Sequence, residues 1–364
     1  EEIGARLIGL DADNQEEIDQ AMIRLDGTPN RSRLGGNAIV ATSMAVLQAR
    51  AAAEKLPLWQ HLAQGRDIRM PLPEIQIFGG GAHAARRVDI QDFMIMCPGA
   101  TSFAEALDWT AEVYIAAGAL MKERGILQGV ADEGGYWPAF GSNEEVLETL
   151  VTAIERAGFK AGEQIGISLD IAASEFGKDG IYTLALGGKK YDTDEWIAIL
   201  GQWLSDYPIL SVEDPLGEDD TKGFQIFTRL YGANCQIIGD DYLVTNAARV
   251  TRAAVEKALT AVLIKPNQAG TITETRKALE AGKAAGLGTI VSARSGETED
   301  VIISHLSTGW DAGQFKVGSF ARSERMAKWN ECLRIEEALG PRARFAGRDG
   351  LVFATEISER AAGE

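Results

Sequence analysis

Histidine and cysteine are scarce in this chain, with three of each among 364 residues. Cys97, Cys235 and Cys332 are scattered with no CxxC spacing, so neither a disulfide framework nor a cysteine zinc site is indicated. The pattern suits buried thiols in a reducing cytoplasm. His61, His83 and His305 do not end apolar runs, which argues against a histidine-built zinc centre. No apolar stretch approaches the length of a membrane span, and no secretory leader opens the chain. Neither GxGxxG nor GxxxxGK followed by Ser or Thr occurs, so the phosphate loop that usually marks a doubly wound open sheet is missing. Positive charge is also in deficit. A net charge of −17 argues against nucleic acid as a partner, although a local group of lysines, arginines and a metal can still hold a small anion. The expectation is a cytoplasmic protein with no membrane partner and no nucleic-acid partner.

What is present is a repeated pattern. The apolar runs 165–169, 209–212, 236–239 and 261–264 end in Asp170, Glu213, Asp240 and Lys265. The run 289–293 leads into Arg294 and Ser295, and Gln314-Phe315 into Lys316. Successive charged ends lie 22 to 43 residues apart, against about 30 residues for a βα unit. A parallel barrel gathers the C-terminal ends of its strands on one face, so three acids, two lysines and an arginine are expected at one mouth. The longest gap holds residues 177–182, read as an inserted turn. The chain is longer than a single core usually holds, which leaves room for a barrel and a smaller domain. Residues 14–64 read as helical, with Asn14 as N-cap. Residues 75–78 and 93–96 read as two strands of a hairpin around a polar, Gly-rich loop. Helices are expected near 102–124 and 143–157, then strand–helix alternation to about residue 335.

The residue types point to chemistry. Asp170, Glu213 and Asp240 supply hard oxygen ligands, which suit Mg²⁺. A single acid after a strand is common on surfaces; three in register favour a metal. Lys265 ends an apolar run, and a lysine desolvated there beside a second cation, Lys316, is expected to have a lowered pKa and to serve as a base. The alternative for Lys265 is an ion pair with the barrel acids. Arg294 and Ser295 join a strand to a helix, where a guanidinium and backbone N–H groups suit an anion. Asp132-Glu133-Gly134-Gly135 is a polar turn whose glycines permit close backbone approach.

These residues resemble the enolase family over nearly the whole chain. The matches include Gly36-Asn37-Ala38-Ile39, Gly79-Gly80-Gly81-Ala82-His83-Ala84, Asp132-Glu133-Gly134-Gly135, residues 169–176 and Ser211-Val212-Glu213-Asp214-Pro215-Leu216. They continue with Gly239-Asp240-Asp241, Ile264-Lys265-Pro266-Asn267-Gln268, residues 294–300 and Ala321-Arg322-Ser323-Glu324-Arg325. The resemblance implies an α/β fold, an enolase-type TIM-like barrel over 71–345. It is preceded by the mostly helical remainder of an α+β N-terminal domain over 1–70 and followed by a C-terminal tail over 346–364. Residue 1 falls inside the family's N-terminal domain, whose small sheet and Ser-bearing loop are not in the chain. By the same resemblance Asp170, Glu213 and Asp240 would hold Mg²⁺. Lys265 would remove the proton next to the substrate carboxylate, Lys316 would stabilise the dianion formed, and Glu133 would assist departure of the β-hydroxyl. Asp92 would belong with these catalytic groups, and Arg294 and Ser295 would hold a phosphoryl group. Gln91 and His83 would sit near the substrate, and the protein would form a homodimer.

Departures from the family carry information. Ala293 stands where the family has histidine, and Gln91-Asp92 where it has Gln-Glu. Residues 83–87 bring Arg86 and Arg87 into a loop that usually carries acidic or amide residues. Ala293 opens space beside the phosphoryl site, and the two arginines add positive charge above it. The expected partner is therefore a small anionic phosphoryl or phosphonate substrate. The expected activity is Mg²⁺-dependent β-elimination giving carboxyphosphonoenolpyruvate in phosphonate natural-product biosynthesis, as in a diverged paralogue such as a carboxyphosphonoenolpyruvate synthase. The alternatives are an authentic enolase acting on 2-phosphoglycerate and an inactive relative serving as a binding protein. A sugar-acid dehydratase or racemase is disfavoured by the Arg294-Ser295 pair.

Overall fold

Short runs of Val, Ile, Leu and Phe without alternation need cover on both faces, and a closed barrel ringed by helices provides it. The computed structural model describes residues 2–357, 360 and 361. Its strands in chain order are β1 (Leu72–Gly79), β2 (Asp92–Met96), β3 (Gly166–Asp170), β4 (Gly177–Lys178), β5 (Ile181–Thr183), β6 (Lys190–Asp192), β7 (Ile209–Glu213), β8 (Gln236–Gly239), β9 (Ala261–Ile264), β10 (Gly288–Ser292) and β11 (Gly313–Gly318). Eight of these close into a barrel in the order β1-β11-β10-β9-β8-β7-β3-β2, while β4, β5 and β6 form a small separate sheet. The small sheet is the insertion expected at 177–182. The fold is α/β, as expected.

The hairpin expected at 75–96 is the β1–β2 pair, and it has a consequence for the mouth. β2 runs antiparallel to both neighbours, unlike the other barrel strands. Its first residue, Asp92, therefore lies in register with Gly79 and with Asp170, the last residue of β3. A strand start thus joins the strand ends, which a wholly parallel barrel would not allow.

The N-terminal helices Gln15–Asp26, Gly36–Ala53 and Leu58–Ala63 lie against the barrel's outer helices. Asn14 accepts from the Glu17 amide at 3.1 Å, the expected cap. Buried Asp19 accepts hydrogen bonds from Ser43 Oγ at 2.6 Å and Thr273 Oγ1 at 2.6 Å, which joins the helical segment to helix Ile272–Ala284. Helix Leu58–Ala63 seats on Gly309, where an added Cβ would come within 2.6 Å of Leu62 Cβ.

The stretch expected as a tail is not free in its first half. Leu351 and Phe353 pack on Leu72 and Met96, and the Val352 amide donates to Gln236 Oε1 at 3.1 Å inside the barrel. The floor would otherwise expose Leu72 and Met96, so burying them outweighs the entropy of ordering this segment. Among the described residues no helix is long and apolar enough to cross a membrane.

Candidate functional site

The mouth expected from the strand ends exists as a cavity of about 200 Å³, lined among others by His83, Asp92, Glu133, Asp170, Asp240, Lys265 and Lys316. Asp170 and Glu213 are the last residues of β3 and β7 and face each other in register. Asp240 and Lys265 follow β8 and β9 by one residue, and Arg294 comes two residues after β10. Lys316 differs from expectation. It lies within β11, paired in register with Ser292 and Glu74, so it rises from the layer beneath the rim.

The amines and acids are tied to one another. Lys316 Nζ donates to Asp170 Oδ2 at 2.7 Å and Glu213 Oε2 at 2.8 Å, and Asp92 Oδ2 lies 3.6 Å away. Lys265 Nζ bonds Asp240 Oδ2, whose other oxygen accepts from Gln268 Nε2 at 2.9 Å. Gln91 Nε2 donates to Asp170 Oδ2 at 3.1 Å. Across the cavity His83 Nε2 is 3.2 Å from Ser295 Oγ and 4.0 Å from Glu133 Oε1.

Burial and neighbouring charge divide the protons unevenly. Burial works against ionising Asp170, but Lys316 overcomes it and holds this carboxyl below the ordinary range. Burial, and then the charge of Asp170, pushes Glu213 well above it. Asp92 is pushed up to about 7 by burial and then by Glu133. For Lys265 the expected lowering is reversed. Burial does depress it, but Asp240 and Glu213 together outweigh burial and Lys316, and its pKa is raised. The reason is geometric: the mouth that desolvates the amine also supplies its counter-charges.

Other placements refine the expectations. Ala293 is 7 % exposed and lines the cavity. Arg86 sits on the rim, its guanidinium 2.8 Å from Glu175 Oε2, and Arg87 is exposed without lining the cavity. The two arginines therefore do not point into the cavity as free cations. The sequence reading missed Glu175, which lines the cavity and pairs with Arg86, and Gln268, which sits in the Lys265-Pro266-Asn267-Gln268 motif and donates to Asp240.

Asp214, Asp240 and Asp241 also bring ligand atoms within 4.8 Å of one another. Both oxygens of Asp214 accept backbone amides, from Asp240 at 2.9 Å and Asp241 at 2.8 Å, which identifies it as a loop support. Glu213 offers the better test of metal fit. Its Oε1 is buried with no hydrogen-bond partner, an arrangement that a cation bound among these oxygen donors would satisfy.

Beneath the mouth lies Glu74, which no sequence argument reached. Its carboxylate accepts from Ser168 Oγ at 3.1 Å, its other oxygen has no partner, and burial pushes its pKa to about 7 from an ordinary 4.5. The raised value means that the folded protein holds this proton longer than the unfolded chain. Stability from this group is fully present below pH 4.5 and is lost as pH rises through 7. Glu74→Gln should therefore raise stability at pH 8 by up to about 3 kcal/mol and leave it unchanged at pH 4. Urea unfolding at both pH values measures this, and an equal effect at both would remove the buried charge as the cause.

Comparison with known families agrees with this architecture. Residues 67–353 match the family description "Enolase, C-terminal TIM barrel domain", and residues 1–62 match "Enolase, N-terminal domain".

Proposed function

The chain belongs to the enolase family, and from that premise we propose a Mg²⁺-dependent lyase that eliminates water from a phosphorus-bearing hydroxy acid. Its substrate is larger and more anionic at phosphorus than 2-phosphoglycerate, and its product is of the carboxyphosphonoenolpyruvate type. The observation that carries the reading is the pairing of Lys265 and Lys316 with Asp170, Glu213 and Asp240 in one mouth, facing Glu133 and His83.

Asp170, Glu213 and Asp240 would hold the cation, which would supply positive charge to stabilise the negative charge that builds on the substrate carboxylate. Lys265 Nζ takes the α-proton, a step that requires the amine to leave Asp240 and become neutral. Lys316, 5 % exposed, stays charged and neutralises the developing negative charge from below. Burial disfavours that charge, but Asp170 and Glu213 more than restore it and raise its pKa well above the ordinary value. Glu133 delivers a proton to the departing β-hydroxyl, with His83 beside it. Arg294 and Ser295 grip the phosphorus oxygens.

Two features support the larger substrate. The methyl of Ala293 leaves cavity space next to Arg294. The Arg86–Glu175 pair is half exposed, and such a pair is worth little in water. A carboxylate on phosphorus can therefore draw Arg86 from Glu175 at small expense.

A side-by-side assay tests this. Wild type should dehydrate the carboxyphosphono analogue with a higher kcat/KM than 2-phosphoglycerate, and Ala293→His should move that ratio at least ~10-fold toward 2-phosphoglycerate, the scale of a misfitting group in a shaped pocket. Ordinary turnover of 2-phosphoglycerate with no turnover of the analogue would end the substrate assignment. An unmoved ratio in Ala293→His would end the space argument.

A further inference from the structure

Arg325 and Lys328 were part of no site expectation, yet both are nearly fully buried basic residues. They lie in helix Ser323–Leu339, which follows β11. Arg325 Nη1 donates to the carbonyl of Arg294 at 2.7 Å and to that of Val317 at 3.0 Å, and Nη2 donates to the carbonyl of Ser295 at 2.5 Å. Lys328 Nζ donates to the carbonyl of Thr298 at 2.7 Å and lies 3.2 Å from Glu297, whose other oxygen accepts the Arg294 amide at 3.0 Å. One guanidinium and one ammonium thus hold the loop 294–298 by its main chain.

Charge balance makes this more than packing. Arg325 Nε is buried with no hydrogen-bond partner, and its nearest carboxylate oxygen, on Glu324, is 3.7 Å away and already accepts from Arg322 at 3.0 Å. A buried cation without a close counter-charge is costly unless hydrogen bonds satisfy it, and for Arg325 the carbonyls of Arg294, Val317 and Ser295 do so. Because a trans peptide points its C=O and N–H in opposite directions, anchoring the carbonyls of Arg294 and Ser295 on Arg325 turns the Ser295 and Gly296 amides away from it. Neither amide has a protein acceptor among the described residues. The same side chain passes under Gly318, where an added Cβ would meet the Glu133 carbonyl at 2.8 Å and Arg325 Cδ at 3.2 Å.

We propose that Arg325, with Lys328, is a positioning residue that sets the anion-binding conformation of the Arg294–Thr298 loop and aims its amides at the phosphorus oxygens of the substrate. This rests on the reading of that loop as the phosphorus-binding part of the site. Loss of the planar fork loosens the loop and weakens substrate binding while the acids and lysines keep their places.

The test is calorimetric titration of Mg²⁺-loaded protein with phosphoenolpyruvate, together with steady-state kinetics, for wild type, Arg325→Lys and Lys328→Met. Arg325→Lys should weaken phosphoenolpyruvate binding at least 10-fold and raise KM by a similar factor, with kcat falling less. Lys328→Met should show the same split at about 3- to 5-fold. A residue that only supports the fold would lower the active fraction, and so kcat, with KM unchanged. If wild type binds and both variants bind equally well, the positioning role is overturned and the site reading stands. If wild type binds no phosphoenolpyruvate with Mg²⁺ present, the site reading falls and this inference with it. Should Arg325→Lys fail to fold, Lys328→Met alone decides.

Discussion

Lys265→Ala is expected to abolish exchange of the substrate α-proton with solvent and to lower turnover by roughly 10²–10⁴-fold, the range a positioned general base contributes. The effect follows from placement. Lys265 is the one amine of the mouth that emerges beyond its strand, while Lys316 is set within β11 and committed to two carboxylates. Mg²⁺ affinity should not fall in this variant, because the alanine frees Asp240 Oδ2 from its ammonium partner. Exchange is followed by NMR in deuterated buffer, and metal uptake by calorimetry. Exchange at the wild-type rate would remove Lys265 as the base, whatever happened to overall turnover.

Glu213→Gln should produce opposite changes in function and stability. Mg²⁺ binding should weaken by more than ~100-fold, since losing even an outer partner of a metal ligand weakens binding by roughly 10–100-fold. The folded protein should nevertheless become more stable above neutral pH. Burial and Asp170 raise the Glu213 pKa well above 4.5, so its contribution is fully present below the unfolded value and is lost as pH rises through the folded one. Glutamine removes that loss. It also leaves Asp170 and Lys316 as a balanced pair 2.7 Å apart, with the amide oxygen still able to accept from Lys316. Thermal unfolding at pH 8 without added metal, set beside a Mg²⁺ titration, measures both halves. A variant less stable than wild type at pH 8 would contradict the reading of Glu213 as a strained acid kept for a cation.

Function and stability pull apart here for a common physical reason. Acids gathered around one mouth are buried close together, and burial first, then the charge of a neighbouring acid, raises Glu213 and Asp92 even with two lysines among them. Glu74 extends the same strain one layer down.

Much of this was written locally. The apolar runs ending in Asp170, Glu213, Asp240 and Lys265 announce buried strands with charged C-terminal ends, because burial on both faces demands continuous hydrophobicity and a barrel exposes only its rim. The hairpin at 75–96, the insertion at 177–182 and the Asn14 cap were legible for the same reason: each is set by neighbours a few residues apart. The tertiary structure alone decided who pairs with whom. Lys316 meets an acid 146 positions away, Arg86 meets Glu175 across the rim, and the carbonyls of Arg294 and Ser295 meet Arg325. It also turned 346–353 from a tail into a floor and reversed the direction of the Lys265 shift. Hydrophobic pattern reports how deeply a residue is buried; the sign and distance of the charges around it depend on chain closure, which brings together side chains that no local window contains.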